Sequence, residues 1–540
     1  MTQRWAVAAA GLDEVRLIAE LIALKVRPGD VVTLRGDLGA GKTTFARALI
    51  RALLADETAE IPSPTFPLVQ TYASPRLAVA HFDFYRLAGP DDLHEIGFAE
   101  AAASGLAIVE WPERAEAALG PDRLDVTLGP GALPDQRHLT FEAHGSFAPR
   151  LERLQAMHAF LVRQSSPAMR IAYLQGDASQ RAYARVVLAP SDADTASGAL
   201  APSDADTASG ALAASDANPA RGARTVLMDS PRMPDGPPVL DGKPYSRIAH
   251  LAEDVRPFAA IGRALEAAGL SVPHIAAADL DQGLLLLEDL GDLTFGAALA
   301  QGHDQARLWL TAVDMLAALR RNPPPRELPL PDGTTHRLPR FDRAALEIEV
   351  GLLLDWYWPA VKGAPAPDPI RADFRELWQP VLDRMLAAPP GIFLRDVHSP
   401  NLFWLPERTG IRSVGVIDFQ DALAEPWAYD LASLLQDARV DVPAALEAEG
   451  VARYCKAVAE PAFDEAEFRA LYAAFGAQRN TRLVGLWVRL LKRDGKPHYL
   501  RHMPRTWDYL ARNLAHPDLG PLAAWYDRHF PQSVRSTLPR

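Results

Sequence analysis

The chain has 540 residues, 48% hydrophobic and 23% charged, with a formal net charge of −12. That length suits several globular units of roughly 150 residues each, and the acidic balance excludes a broad basic field for coating nucleic acid directly. One cysteine, Cys455, excludes an internal disulfide and reads as a small buried apolar group, while the absence of an 18-residue apolar run or a signal-like leader sets the expectation of a cytoplasmic chain without a membrane span.

The first part of the chain alternates apolar strands with helices. "DVVTLRG" reads as a strand and "KTTFARALIRALL" as the helix after it. "LAVAHFDFY" and "GLAIVEWPE" are apolar runs with acids at their ends, and "LDVTLG" and "RHLTFEAHG" look like closing strands. This order predicts an α/β domain over 1–147 built on a parallel sheet. Between the first strand and its helix lies "GDLGAGKTTF", which fits G-x-x-x-x-G-K-[ST]. Gly36, Gly39 and Gly41 let backbone N–H groups face phosphates. Lys42 reaches the β/γ-phosphates, and the Thr43 hydroxyl binds Mg²⁺. The helix N-terminus adds positive potential. A P-loop also needs an acid at a strand end. Asp83, closing "AVAHFD", is the candidate beside Mg²⁺, and Glu110, closing "LAIVE", the candidate to orient the attacking water. Either acid alone would commonly be a solvated strand end; together, each closing an apolar strand of a P-loop domain, they point to function.

In order, "GDLGAGKTTFARALI", "SPTFPLVQTY", "HFDFYRL" and "IVEWPE" resemble the TsaE family, the ATPase subunit of the bacterial tRNA threonylcarbamoyladenosine synthesis complex. The resemblance covers about residues 1–145. It implies ATP binding by Gly41, Lys42, Thr43 and Thr44, Mg²⁺ binding by Thr43 and Asp83, a switch-like role for Thr65 and a catalytic role for Glu110. It also implies docking on the proteins that modify a tRNA adenosine.

"AHGSFAPR" breaks the pattern and sets a boundary between Gly145 and Arg150. A helix, "LERLQAMHAFLVRQ", follows. "AYLQGDASQRAYARVVL" and "ARTVLMDSP" then read as strands of a β-rich lobe over 148–290. Between them "LAPSDADTASGA" starts at Leu188 and recurs identically at Leu200, with a partial copy ending at Asn218. With almost no apolar mass to offset its ordering entropy, the 188–218 insert is expected to be a disordered, dispensable loop. After "GLLLLEDLG" the chain is mostly helical over 291–540.

That helical part carries a second set of chemistry. "FLRDVHSPNLFWL" holds Asp396 and, five residues on, Asn401; "VGVIDFQDA" places Asp418 at the end of a β-branched strand. In a kinase-type site one Asp accepts the substrate hydroxyl proton, while an Asn and a second Asp hold Mg²⁺ against the phosphates. "GDASQRAYARV", "LLLLEDLGD", "RDVHSPNLFWL", "VIDFQDA" and "LKRDGKPHYL" resemble the aminoglycoside phosphotransferase family, and within it the cell-wall kinases of N-acetylmuramate and N-acetylglucosamine, over nearly all of 170–510. The resemblance implies a two-lobed α+β protein-kinase-like domain after the P-loop domain. It implies ATP with Mg²⁺ and phosphorylation of the sugar's anomeric hydroxyl. Ser179 and Arg181 fall in the phosphate-covering loop, and Glu288 and Leu290 at the hinge that meets adenine through its backbone.

The chain departs from that family at two points. Leu394 and Arg395 stand where His-Gly precedes the catalytic Asp, and Met228 stands where a phosphate-gripping lysine is expected. Arg181 and Arg185 are the two candidates for the missing cation, each readable equally as a strand charge, with Glu253 on a helix as its partner. Glu349, Asp355 and Trp356 suit a sugar site or helix packing. Arg489, Lys492, Arg493 and Lys496 suit a carboxylate-reading patch or a solvated face. The expectation is a fusion of two ATP-using machines. Its rivals are a back half that phosphorylates another alcohol, of aminoglycoside or choline type, and a back half that only binds and regulates.

Overall fold

The computed structural model describes residues 2–87, 92–164, 168–174, 181–187, 224–388, 391–424, 428–458 and 463–535; Ser179 and the 188–218 repeat lie outside the described residues. The chain divides into two compact units, Met1–Pro231 with Ile275–Asp289, and Arg232–His274 with Leu290–Arg540.

The first unit begins with β1 (Thr2–Ala10), α1 (Leu12–Lys25), β2 (Val31–Arg35), α2 (Lys42–Leu54), β3 (Val69–Ala73), β4 (Ala78–Asp83), β5 (Leu106–Glu110), β6 (Arg123–Pro130) and β7 (Arg137–His144). They form one sheet in the order β1-β7-β6-β2-β5-β4-β3. The sheet is mixed, not parallel throughout as the alternation suggested. Only β6, β2, β5 and β4 run parallel to their neighbours in that row, while β7 opposes both β6 and β1, and β3 opposes β4. The reason is connection length. Short turns join β3 to β4 and β6 to β7, and a short turn can only close an antiparallel pair. The parallel strands are the unbroken apolar ones: every residue of β5 is buried, as expected for strands covered on both faces.

α3 (Ala148–Gln164) follows, and then a five-stranded antiparallel sheet. Its strands β8 (Arg170–Leu174), β9 (Ala182–Val187), β10 (Arg224–Asp229), β11 (Ile275–Asp279) and β12 (Leu284–Glu288) lie in the order β11-β12-β10-β9-β8. The two sheets share one apolar core. Leu17, Ile18 and Phe45 of the P-loop part join Leu154 and Phe160 of α3 and, beyond them, Ile171, Val186, Leu227 and Leu286 of the second sheet. Ion pairs edge this junction. Asp229 of β10 receives Lys25 and, at 2.6 Å, Arg153; Glu20 accepts the Ile171 N–H at 2.7 Å. Leu227 of β10 with Leu284 and Leu286 of β12 thus put one sheet face into the core that α1 and α3 line.

The second unit is mostly helical. It includes α4 (Arg256–Ala267), α5 (Arg343–Leu352), α6 (Ala428–Leu435) and α7 (Glu465–Lys492), with the short antiparallel pair β13 (Leu402–Trp404) and β14 (Val414–Val416). α7 opens on Asp464, whose carboxylate accepts the N–H groups of Ala466 and Glu467, and it closes on Arg489 and Lys492; caps and charges match the helix dipole. It is buried on nearly every side, and its buried positions include Gln478, Arg479, Asn480 and Thr481 as well as apolar side chains. Cys455 is buried and burial pushes its thiol up to about 11, which suits packing and not reactivity. Among the described residues no helix is long and apolar enough to cross a membrane.

Candidate functional sites

The P-loop lies between β2 and α2. Gly36 and Gly41 have φ of +135° and +103°, and a Cβ on Gly36 would sit 2.3 Å from the Leu128 carbonyl oxygen, so glycine alone fits there. The Lys42 ammonium donates to the carbonyls of Gly36 and Asp37 at 2.7 and 2.9 Å and lies 3.6 Å from the centre of the Trp111 ring. Burial pulls its pKa below the ordinary lysine value, against the raising effect of Glu110. Thr44 is exposed beside it on the first turn of α2.

The two predicted acids are brought side by side. Asp83 and Glu110 are register partners at the ends of the parallel strands β4 and β5, and Leu34, just before the loop, pairs with Glu110. Glu110 accepts the Thr43 hydroxyl at 3.0 Å. Asp83 accepts the Thr65 hydroxyl at 3.2 Å and the Tyr85 N–H at 3.0 Å. The sequence reading missed His81. It is fully buried, two residues before Asp83 on the same strand face, and its Nε2 lies 3.0 Å from the second Glu110 oxygen. The period-2 spacing from Asp83 was the available signal.

In the second unit the residues expected of a kinase-type site converge through β13 and β14. Leu402 pairs with Val416 and Ile417 N–H donates to the Asn401 carbonyl at 3.0 Å, which sets Asn401 beside Asp418. The Asn401 amide donates to the Asp396 carbonyl at 3.0 Å and to an Asp418 carboxylate oxygen at 3.4 Å. Gln420 donates to the other Asp418 oxygen at 2.9 Å. Phe419 stacks on Phe258 of α4, ring centroids 4.7 Å apart. A cavity of about 510 Å³ borders this turn, lined in part by Arg232, Arg247, Glu253, Arg256, His336 and Gln420.

The backbone ahead of Asp396 is pinned from α6. The buried Asp430 carboxylate accepts the N–H groups of Leu394 and Arg395 at 2.6 and 2.9 Å. The Asp437 carboxylate accepts the Ser399 N–H at 2.7 Å. Arg395 takes φ of +76°, the conformation that favours glycine. Its buried guanidinium donates to the Ala249 carbonyl at 2.8 Å and pairs with Glu349. Glu349 also accepts Gln478 at 2.9 Å, and the neighbouring guanidinium groups of Arg482 and Arg395 hold its carboxyl below the usual range against burial. His398 is buried beside Arg439, 3.1 Å from its guanidinium; burial and that charge keep the imidazole neutral.

Several expectations change here. Glu349 has no exposed surface and neutralises Arg395, so it does not face a sugar. Asp355 pairs with Arg371 at 2.8 Å. Glu253 stands in a bend before α4, not on a helix, and accepts the Ser246 hydroxyl at 3.1 Å. Arg185 is held by Asp289 at 2.6 Å, and Met228 is fully buried in β10. Arg181 precedes β9, Glu288 ends β12, and Leu290 opens the next stretch of the second unit. Arg489 packs 4.8 Å from the Tyr245 ring, Arg493 pairs with Asp494, and Lys492 is exposed.

Both sites fit Mg²⁺ and ATP. Among the described residues no three His, Cys, Asp or Glu side chains gather into a metal cage. Mg²⁺ does not require one, because it is commonly held by one or two carboxylates together with substrate phosphates and water.

Residues 10–138 match the family model described as threonylcarbamoyl adenosine biosynthesis protein TsaE, and residues 215–471 match that of the phosphotransferase enzyme family. The chain is 39% identical over 292 residues to an N-acetylmuramate/N-acetylglucosamine kinase of Caulobacter vibrioides, covering 54% of this chain and 79% of the relative. It is 36% identical over 165 residues to the tRNA threonylcarbamoyladenosine biosynthesis protein TsaE of Rickettsia felis, covering 29% of this chain and 95% of the relative. Among solved structures, Bacillus subtilis YdiB is 31% identical, with 29% of this chain and 95% of that one covered and a TM-score of 0.23.

Proposed function

We propose, on the premise that the chain belongs both to the TsaE family and to the N-acetylmuramate/N-acetylglucosamine kinases of the phosphotransferase enzyme family, that it is a bifunctional ATP-using enzyme. The front part hydrolyses ATP in the service of tRNA threonylcarbamoyladenosine formation and docks on the proteins of that modification. The back part transfers phosphate to the anomeric hydroxyl of N-acetylmuramate and N-acetylglucosamine in cell-wall recycling.

When bound, Mg-ATP supplies the phosphoryl group and its charge neutralisation. In the front site, Gly36, Gly39 and Gly41 shape the cradle, Lys42 and Thr44 would meet phosphate oxygens, and Thr43 with Asp83 would hold Mg²⁺. Glu110, fixed between Thr43 and His81, orients a water. In the back site, Asn401 and Asp418 would hold Mg²⁺, and a carboxylate oxygen of Asp396 accepts the proton of the sugar hydroxyl. Asp430 and Arg395 keep that carboxylate from swinging with its loop.

The observation that supports the kinase reading most is the joining of Asp396, Asn401 and Asp418 by direct hydrogen bonds across β13 and β14. Met228 in place of lysine favours the rival, a module that binds without turnover. One assay separates them. The full chain is incubated with ATP and each amino sugar, and the product is treated with dilute acid. An anomeric phosphate departs readily because its carbon can form an oxocarbenium ion. Transfer to an acid-labile product is expected; no transfer to either sugar would sink the kinase reading, and an acid-stable product would exclude the anomeric position.

A further inference from the structure

Glu349, buried against Arg395, does not face a sugar, so the amino sugar must be recognised elsewhere. The cavity beside the Asp418 turn is the place for it. Its volume of about 510 Å³ lies within the roughly 300–1,000 Å³ usual for small-molecule sites. Among the described residues its lining belongs wholly to the second unit, and Arg181, Glu288 and Leu290, which are expected to meet ATP, take no part in it. Three hydrogen bonds tie its wall to the Asp396 loop and the Asp418 turn. The Gln420 amide donates to Asp418 at 2.9 Å. The Ala252 N–H donates to the Asp421 carboxylate at 2.6 Å. The Ala249 carbonyl, next to His250 of the wall, accepts the guanidinium of Arg395 at 2.8 Å, and Asp396 follows Arg395 in the chain.

The wall keeps polar atoms open. Gln420 turns its NH₂ to Asp418, which leaves Oε1 as its other end, and that oxygen is buried without a hydrogen-bond partner. The Nε2 of His336 is likewise buried and unpartnered. Burial holds this imidazole below its ordinary pKa, against the pull of Asp254, so the ring is neutral and offers one donor and one acceptor. Buried polar atoms left open in this way are rare in folded proteins and call for a partner. The cations of the wall divide in the same manner. Arg247 pairs with Asp235 at 2.7 Å and Arg256 with Asp332 at 3.4 Å. Arg232, exposed at the edge of the lining, has no ion pair among the described residues. Leu330 and Pro339 add apolar surface of the kind a pyranose face packs on.

We infer that this cavity is the amino-sugar site, in which Gln420 Oε1 and the His336 imidazole bond the hydroxyl and acetamido N–H groups common to both sugars, and Arg232 meets the carboxylate that N-acetylmuramate has and N-acetylglucosamine lacks. A guanidinium fork matches a carboxylate in two parallel hydrogen bonds. Gln420 then touches the sugar with one end of its amide and the Mg²⁺-side carboxylate of Asp418 with the other.

The inference rests on the kinase reading, and the test separates the two. Wild-type chain is first assayed with ATP and each sugar. Transfer to neither ends the reading and the inference with it, whereas failure of the inference alone leaves wild-type transfer intact. Three variants of the full chain follow. His336→Leu removes the open ring nitrogen and should raise KM for both sugars by about tenfold or more, the usual cost of a lost hydrogen-bond partner, with KM for ATP changed by less than about threefold. Thr335→Trp, at an exposed position of the lining, fills the cavity and should raise both sugar KM values at least as much. Should His336→Leu not fold, Thr335→Trp decides alone. Arg232→Met should melt at the wild-type temperature and raise KM for N-acetylmuramate about tenfold more than KM for N-acetylglucosamine, as loss of a charge-assisted pair requires. Sugar KM values within about threefold of wild type in Thr335→Trp or in folded His336→Leu overturn the inference. So does a His336→Leu defect confined to kcat or to melting temperature. An equal effect of Arg232→Met on both sugars overturns the carboxylate assignment.

Discussion

The P-loop site draws its parts from one edge of one sheet, whereas the kinase site gathers its parts from segments spread between α5 and α7. In the first, β2, β4 and β5 end together, and register alone places Asp83 beside Glu110 and both beside the loop. In the second, the backbone of Leu394 and Arg395 just ahead of Asp396 is fixed by Asp430 from α6, and the Arg395 guanidinium by Glu349 from α5, itself held by Gln478 from α7. A site built on strand ends needs little beyond the sheet to hold it. A site built on a loop needs a buried polar network, in which each member depends on the next.

Substitutions that separate the two sites test this difference. The largest effect is expected from Asp396→Asn, which removes the proposed proton acceptor. Amino-sugar phosphorylation should fall by about 10²–10⁴-fold, measured as sugar phosphate formed, while ATP hydrolysis by the front site persists. Lys42→Ala should lower that hydrolysis by about 10²–10³-fold through loss of one preorganised charge, read as phosphate released from ATP.

A smaller effect sharpens the comparison at the shared core. Leu286 belongs to the kinase-side sheet but packs in the core that also holds Leu17 and Phe45. Leu286→Ala should cost about 2–5 kcal/mol. Hydrogen exchange in β1 and β2 should speed up together with that in β10 and β12. Unchanged exchange in β1 and β2 would mean that the two sheets unfold independently.

The same contrast governs what the sequence made legible. Lys42, Thr43, Asp83 and Glu110 could be named because a short motif and strand-end acids carry their chemistry locally. Asp396, Asn401 and Asp418 could be named because their spacing mirrors one paired turn. Glu349 was left open between a sugar site and helix packing, because an acid near aromatic residues on a helix suits either and nothing local reveals that its partner is Arg395. The antiparallel edges of the first sheet were missed because alternation of strand and helix says nothing about hairpin-length connections. β1 was not named as a strand, because its alanines blur the period-2 signal. The core that joins the two sheets was invisible for a related reason: β10 and β12 read as ordinary buried strands whichever element covers them.

The smallest shift concerns pH. Burial, with nearby arginines, holds the imidazoles of His398 and His502 below their ordinary value, His502 down to about 4. Between about pH 4 and the unfolded value near 6.5, the unfolded chain binds protons that the folded chain excludes. Stability should therefore rise with pH across that window, by something on the order of 1 kcal/mol after screening, in denaturant titrations that report the second unit. A flat or falling profile would mean that these imidazoles are charged in the folded protein.

Independence of the two chemistries is the central claim, and one rate tests it most directly: amino-sugar phosphorylation by the full chain carrying Lys42→Ala. Among the described residues Lys42 bonds within its own loop, to Gly36 and Asp37, and packs on Trp111. The rate should stay within twofold of wild type even as front-site ATP hydrolysis is lost. A drop of tenfold or more, in a variant that still melts cooperatively, would contradict the claim and show that the two sites work as one machine.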